Sequence, residues 1–158
     1  MVTKKLGEVL VARGMITSWQ LEQALLEQRT TKEFLGAILL RMKLLNPQTL
    51  LEALSEQFQI PCESLSVDRV DWRAAKQFPR SALSGGTCFP IRTDAGSVTV
   101  AITNPLDAEA LSDMGRAAGF RQVHVVLVLE DELRTVLQRY QQQSLRALDE
   151  QLRDHGHP

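Results

Sequence analysis

Apolar and polar residues in the first third of the chain follow a helical pattern that occurs twice. Leu6, Val9 and Leu10 have the i, i+3, i+4 spacing that places one apolar face on a helix. The segments 6–28 and 35–57 align with each other without a gap, and eight of the 23 aligned positions are identical. The identical pairs are Leu6/Leu35, Gly7/Gly36, Leu10/Leu39, Leu21/Leu50, Ala24/Ala53, Leu25/Leu54, Glu27/Glu56 and Gln28/Gln57. A repeat of this kind predicts two copies of one structural unit.

Each copy is predicted to be a helix, a turn and a second helix. Gly14 is expected to end the first helix, because glycine readily adopts the left-handed conformation of a helix C-terminus. Thr17 and Gln20 form a capping-box pattern at the start of the second helix. In the second copy, Asn46 and Pro47 are suited to the N-cap and the first helical position. The sequence therefore predicts four helices between about residues 4 and 58.

The pattern changes after the second copy, where short strands alternate with helices. The predicted elements are a helix at Val70–Phe78, strands at Thr87–Arg92 and Ser97–Ile102, a helix at Asp107–Ala118, a strand at Gln122–Leu129 and a helix from about Glu130 past Tyr140. The predicted fold class is α+β: an N-terminal four-helix repeat subdomain (1–60) followed by a small α/β sandwich subdomain (66–140).

The last segment, 141–158, is polar and is predicted to be a helix or tail. Leu145, Leu148 and Leu152 form a weak helical stripe within it. Two interpretations of this stripe stay open: a solvated helix end, or a helix that dimerises or binds a partner.

Charge and hydropathy narrow the functional classes. The formal net charge is −1, which argues against a dedicated nucleic-acid-binding protein, since such proteins present a basic face to phosphates. The longest apolar run, Val125–Leu129, is far shorter than the roughly 20 residues that span a bilayer. The N-terminus is polar and basic and lacks the apolar core of a signal peptide. We therefore expect a cytoplasmic protein without a membrane span.

No catalytic or metal-binding set is recognisable in the sequence. Gly85 and Gly86 are not followed by the Gly-Lys-Ser/Thr of a phosphate-binding loop. His124 is the only internal histidine and is predicted to lie in a core strand, and no Cys/His cluster has zinc-site spacing. We predict a protein that is not an enzyme and requires no metal or cofactor.

The repeat and a later motif together resemble a known family. The paired Leu-Gly copies are followed by Phe89-Pro90-Ile91, Val98-Thr99-Val100-Ala101 and Asn104-Pro105-Leu106-Asp107. This combination resembles the N-terminal domain of type II secretion and type IV pilus assembly ATPases, over roughly residues 5–140. The resemblance implies a regulatory and docking module whose partner is the cytoplasmic domain of an inner-membrane secretion or pilus protein, or the ATPase itself. It also implies a location at the inner membrane through that partner.

Some members of this family, named for a mannose-sensitive pilus ATPase, bind cyclic di-GMP through two motifs of equal length separated by a short spacer. The segments 5–28, 29–33 and 34–57 have this arrangement. The alternative function implied by the resemblance is therefore a cyclic di-GMP receptor. In the first copy its ligand residues would be Lys5, Leu6, Gly7, Leu10, Gly14, Ile16, Leu25 and Gln28. In the second copy they would be Leu35, Gly36, Leu39, Leu45, Leu54 and Gln57.

The chemistry of these residues suits a cyclic dinucleotide. Leucines would cover purine faces, glycine N–H groups at helix starts would meet phosphate, and glutamine amides would bind purine edges. Two positions depart from the family pattern: Lys5 replaces an arginine and Lys43 replaces a glycine. Lysine lacks the planar fork of arginine, so we expect about ten-fold weaker binding. A left-handed conformation at Lys43 would cost about 1–2 kcal/mol, so we expect the second turn to differ from the first.

Overall fold

The computed structural model of the chain describes residues 5–83, 85–119 and 121–156. The chain divides into two compact units, one ending at Cys62 and the other beginning at Glu63. The first unit is helical, and the second contains a three-stranded sheet with helices. The α+β class predicted from the sequence is confirmed.

The first unit repeats its helix starts at the offset found in the sequence. Its helices are α1 (Leu6–Ala12), α2 (Ser18–Thr31), α3 (Leu35–Arg41) and α4 (Pro47–Phe58). Helices α3 and α4 start at the repeat positions that correspond to the starts of α1 and α2. The caps of the second helices also correspond: the Thr17 hydroxyl accepts the Gln20 N–H at 3.1 Å, and the Asn46 side chain accepts the Thr49 N–H at 2.8 Å.

The turns between the paired helices have the same conformation in both copies, so our expectation of a different second turn is wrong. Gly14 has φ 70° and Lys43 has φ 59°, and both are left-handed. In copy one the Met15 N–H donates to the Leu10 carbonyl at 2.9 Å; in copy two the Leu44 N–H donates to the Leu39 carbonyl at 3.0 Å. The hydrogen bonds and the helix packing hold Lys43 in the conformation that glycine adopts more readily.

Each copy packs its first helix against the second helix of the other copy: α1 lies on α4, and α3 on α2. The centre of this arrangement is fully buried and contains Leu10, Ala24, Ile38, Leu39 and Ala53. Two ion pairs follow the same crossed pattern. Arg13 contacts Glu56 at 2.8 Å, and Arg41 contacts Glu27 at 2.5 Å. The crossed packing makes the two copies interdependent.

The sheet of the second unit contains β1 (Cys88–Asp94), β2 (Ser97–Ile102) and β3 (Gln122–Leu127) in the order β1-β2-β3. Strands β1 and β2 form an antiparallel hairpin, with a register irregularity between Pro90 and Arg92. Strand β3 runs parallel to β2. A parallel neighbour requires a crossover, and a helix at Ala108–Ala118 supplies it.

Two predictions in the second unit need correction. The single helix expected at Val70–Phe78 is shorter, α5 (Trp72–Lys76), because Asp71 caps it by accepting the Arg73 N–H at 3.1 Å. A further short helix, α6 (Arg80–Leu83), follows Pro79 and is absent from the sequence prediction. His124 does lie in a strand, as predicted, but its side chain is exposed because β3 is an edge strand that buries only its last residues.

The second unit also contains two longer helices, α7 (Ala108–Ala118) and α8 (Glu130–His155). Aromatic and aliphatic side chains form its core. Phe89 is fully buried, with its ring centroid 6.1 Å from that of Trp72 and 5.4 Å from that of Tyr140. Helix α8 buries Leu133 and Val136 in its first two turns. Its later leucines, at positions 145, 148 and 152, are exposed. Among the described residues, no helix is both long enough and apolar enough to cross a membrane.

Candidate functional site

The predicted ligand residues divide into a buried and an accessible group. The buried residues are Leu6, Gly7, Leu10, Ile16, Gly36, Leu39 and Leu54. The residues with accessible surface are Lys5, Gly14, Leu25, Gln28, Leu35, Leu45 and Gln57. In this conformation, the second group can meet a ligand, whereas the first group forms the core beneath it.

Helix packing accounts for both Leu-Gly glycines. A Cβ atom added to Gly7 would lie 2.7 Å from Cδ1 of Leu21, and one added to Gly36 would lie 3.0 Å from Cδ1 of Leu50. These distances are shorter than ordinary van der Waals contact, so each glycine lets the two helices of its copy approach closely.

Lys5 lies at the N-cap of α1 and is exposed. Its backbone N–H is 3.4 Å from the Glu8 carboxylate, which supports the helix start. Within the described part of the chain, no carboxylate forms an ion pair with the Lys5 ammonium. Its charge is therefore available to an anion that approaches the first turn of α1.

The two equivalent glutamines have different surroundings. The Gln28 amide nitrogen donates to the Glu33 carbonyl at 3.1 Å, which fixes it to the segment between α2 and α3. The Gln57 Oε1 atom is buried and has no hydrogen-bond partner among the described residues. A buried acceptor without a donor is destabilising by about 1–3 kcal/mol. A ligand N–H would satisfy this acceptor only if the Gln57 side chain turned so that its Oε1 atom became accessible.

An open cavity of about 550 Å³ lies at the turn of copy two, and Met15 is its one lining residue from copy one. It is lined by Met15, Leu40, Lys43, Leu44, Leu45, Asn46, Pro47 and Thr49. Leu45 is the one predicted ligand residue among them. Met15 and Leu44 could have been found from the sequence, because they occupy equivalent positions of the repeat. Lys43 stands out in the sequence only as a departure from the family pattern.

The acidic residues at equivalent positions of the two copies, Glu27 and Glu56, each form an ion pair with an arginine. Arg41 contacts both Glu27, at 2.5 Å, and Glu33, at 3.1 Å. Its hydrogen bond to Glu27 is the main reason that the pKa of Arg41 is raised. Glu56 contacts Arg13. Glu27, Glu33 and Glu56 therefore already have cationic partners.

The helical repeat joined to an α/β unit has the fold of the N-terminal domains of secretion and pilus ATPases. A solved structure of MshE with cdg (cyclic di-GMP) matches with a TM-score of 0.79 and 27% identity, over 87% of this chain and 99% of that one. The N-terminal domain of XpsE matches with a TM-score of 0.64 and 18% identity, over 88% of this chain and 98% of that one. The second likeness concerns the fold alone.

The model of the MshEN domain matches residues 58–147, which is more than half of the chain. The chain therefore belongs to the MshEN domain family. This match begins at the end of the repeat, so it does not include the predicted ligand residues. The match to the MshE structure is longer than the match to the family model: it covers 87% of this chain and must therefore include much of the repeat.

Curated relatives are pilus ATPases and a phage adsorption protein. The type IV pilus assembly ATPase PilB of Myxococcus xanthus is 25% identical over 96% of this chain and 27% of its own length. PilB of Thermus thermophilus is 37% identical over 70% of this chain and 12% of its own length. Bacteriophage adsorption protein B of Escherichia coli K12 is 27% identical over 87% of this chain and 18% of its own length. The chain thus spans about a quarter or less of each of these relatives.

Proposed function

We propose that this chain is a non-catalytic regulatory module of a type IV pilus or type II secretion system, and that its helical repeat binds cyclic di-GMP. The observation that carries the proposal is the matching backbone of the two copies, which includes the left-handed turn at Gly14 and Lys43. Cyclic di-GMP itself consists of two equal halves. The similarity to MshE, whose structure was solved with this ligand, supports the same assignment.

The accessible residues provide the contacts that such a ligand needs. Half-buried Leu35 and Leu45 and exposed Leu25 offer apolar surface for purine faces. Lys5 offers a charge for phosphate. Gln57 Oε1 is an acceptor without a donor, and guanine carries N–H donors on its Watson–Crick edge; because the atom is buried, the contact requires the half-buried Gln57 side chain to turn outward.

Isothermal titration calorimetry of the chain with cyclic di-GMP tests the proposal. We expect saturable binding with a dissociation constant in the micromolar range or tighter. Lys5→Ala and Gln57→Ala should each weaken binding about ten-fold, because each removes a charged or desolvated polar contact. Lys32→Ala and Gln48→Ala are matched controls, since both residues are exposed on the same unit and outside the predicted contacts.

The outcome separates three cases. Loss of affinity in the two site variants but not in the controls supports the receptor function. Equal effects in all four variants would indicate a non-specific electrostatic or folding effect. The absence of a heat change with either cyclic di-GMP or GTP at high micromolar concentration would contradict the receptor function.

A second function, docking to a partner protein, is favoured by one difference between the copies. The outer face of α2 carries Trp19, which is 67% exposed, and Leu26, which is 53% exposed. The equivalent positions of α4 are the polar residues Gln48 and Ser55. Exposed aromatic and aliphatic pairs are typical of protein interfaces. We propose that this face contacts the cytoplasmic domain of an inner-membrane component of the same system, on the cytoplasmic side of that membrane.

The repeat itself supplies the substitutions that test docking. Trp19→Gln and Leu26→Ser place on α2 the residues that α4 already tolerates, so the helix should be preserved. Surface plasmon resonance with the immobilised cytoplasmic domain should show at least about a ten-fold loss of affinity for the double variant. Leu145→Gln, on the exposed stripe of α8, is the control. Unchanged affinity of the double variant would exclude this face.

A further inference from the structure

We propose that Lys43 binds a phosphate group of the dinucleotide in the cavity at the turn of the second copy. This inference rests on the proposed cyclic di-GMP function and adds a residue that the family pattern does not supply. Two features of the position carry it: the cavity that it lines, and its lack of a charged partner among the described residues.

The backbone of Lys43 would suit glycine better than lysine. Its φ of 59° is left-handed, and its repeat counterpart Gly14 holds the same conformation with equivalent hydrogen bonds. Glycine adopts this region without a penalty, whereas lysine does not. Conformational strain alone does not indicate a site, because Lys32 and Gln59 are also left-handed where α2 and α4 end. What distinguishes Lys43 is the surroundings of its side chain.

Lys43 is the cationic residue among those that line the cavity of about 550 Å³. The walls are mainly apolar, formed by Met15, Leu40, Leu44, Leu45 and Pro47. The volume lies in the range of small-molecule sites, which combine apolar walls with a few polar anchors. Of the polar lining residues, Asn46 already accepts the Thr49 N–H at 2.8 Å.

The Lys43 ammonium is not neutralised by the part of the protein that the structure describes. Within those residues, its side chain forms neither an ion pair nor a hydrogen bond. Three carboxylates of the same unit already have arginine partners: Glu27 and Glu33 contact Arg41, and Glu56 contacts Arg13. Lysine binds phosphate as a point charge without requiring the fork geometry of arginine.

An apolar wall beside an uncompensated cation is complementary to a nucleotide. A purine would lie against the leucine and methionine side chains, and the adjoining phosphate would meet Lys43. The position of Lys43 in the second copy also gives that copy a cation, whereas the first copy has Lys5. Lys43 would thus add a second cation to Lys5, at a different position of the repeat.

Two variants of Lys43 separate this role from a structural one. Lys43→Gly removes both the charge and the conformational strain, so we expect a Tm higher by about 4 °C together with about ten-fold weaker cyclic di-GMP binding. Lys43→Met keeps an unbranched side chain and the strain but removes the charge. It should weaken binding to a similar extent while leaving the Tm within about 1 °C of the unmodified chain.

Lys32→Gly is the matched control. Lys32 is also a left-handed, exposed lysine of the same unit but does not line the cavity. This variant should raise the Tm without changing the affinity measured by calorimetry. Weaker binding in both Lys43 variants but not in Lys32→Gly, with stability and affinity moving in opposite directions for Lys43→Gly, would support the proposal.

The result that overturns the inference is a Lys43→Gly and a Lys43→Met variant that both bind cyclic di-GMP within two-fold of the unmodified chain, while Lys5→Ala weakens binding. In that case the receptor function stands and Lys43 has no part in it. If the unmodified chain shows no binding, the proposed function and this inference fail together.

Discussion

The first and second copies of the repeat differ far more on their surfaces than in their backbones. Their helices start at equivalent repeat positions, and their turns carry equivalent hydrogen bonds. Yet Trp19 faces solvent where the second copy has Gln48, and the N-cap of α1 is Lys5 where that of α3 is Phe34. One backbone therefore supports two different surfaces, as the proposed ligand and partner sites require.

The largest effect should come from the core that the two copies share. Leu10 and Leu39 occupy equivalent, fully buried positions. Leu10→Ala and Leu39→Ala should each lower the free energy of unfolding by about 2–5 kcal/mol, because each leaves a cavity in that core. Urea denaturation followed by circular dichroism measures this. A large loss for one variant with almost none for the other would show that the copies are not equivalent.

A second, smaller effect concerns the two turns. Gly14→Ala should destabilise the protein by about 1–2 kcal/mol, because alanine at φ 70° meets the left-handed penalty. Gly115→Ala is the matched control, since Gly115 lies inside α7 and an added Cβ meets no atom within 4 Å. That change should be neutral or stabilising. If Gly14→Ala is also neutral, the turn conformation assigned to the first copy is contradicted.

The helix caps provide a third comparison. Thr17→Ala and Asn46→Ala each remove a side-chain acceptor for one N–H of the first turn. We expect each variant to lower the unfolding free energy by about 1 kcal/mol. Replacement by Gly should have only a fraction of that effect, and thermal melts of the four variants test the order. Alanine variants as stable as the glycine variants would contradict the capping role.

The smallest effect lies in the second unit, where Arg92 contacts Glu63. This hydrogen-bonded pair lowers the pKa of Glu63 below its ordinary value of 4.5. A depressed carboxyl pKa stabilises the fold above the unfolded-state value and loses that effect as pH falls through the folded-state value. Arg92→Met should therefore destabilise by up to about 1 kcal/mol at pH 7 and by progressively less below pH 4.5. A difference in stability that is independent of pH would contradict the assignment.

The sequence predicted the repeat well because its signals are local. Helix starts at Ser18 and Pro47 follow from Thr17 and Asn46, whose side chains act within one turn. The crossed packing of α1 on α4 could not be predicted, since it depends on which apolar faces meet. The cavity at the second turn is likewise a feature of the folded chain, and it is the reason that Lys43 became a candidate site residue only in three dimensions.

Lys43 also shows where a local rule fails. Helix-end statistics favour glycine at a left-handed position, so a lysine there predicts a different turn. Tertiary packing and two backbone hydrogen bonds outweigh a penalty of about 1–2 kcal/mol. Helix α5 is a second case: the sequence predicts a helix at Val70–Phe78, whereas the helix in the structure is Trp72–Lys76.

Our proposal places one cyclic di-GMP site across both copies of the repeat. It can be tested by a titration of the isotopically labelled chain with cyclic di-GMP, followed by two-dimensional NMR of the backbone amides. We predict shifts at the start of α1 and at both turns, 13–16 and 42–45, with the amides of 63–156 largely unchanged. Shifts confined to 63–156, or to one copy alone, would contradict the proposal.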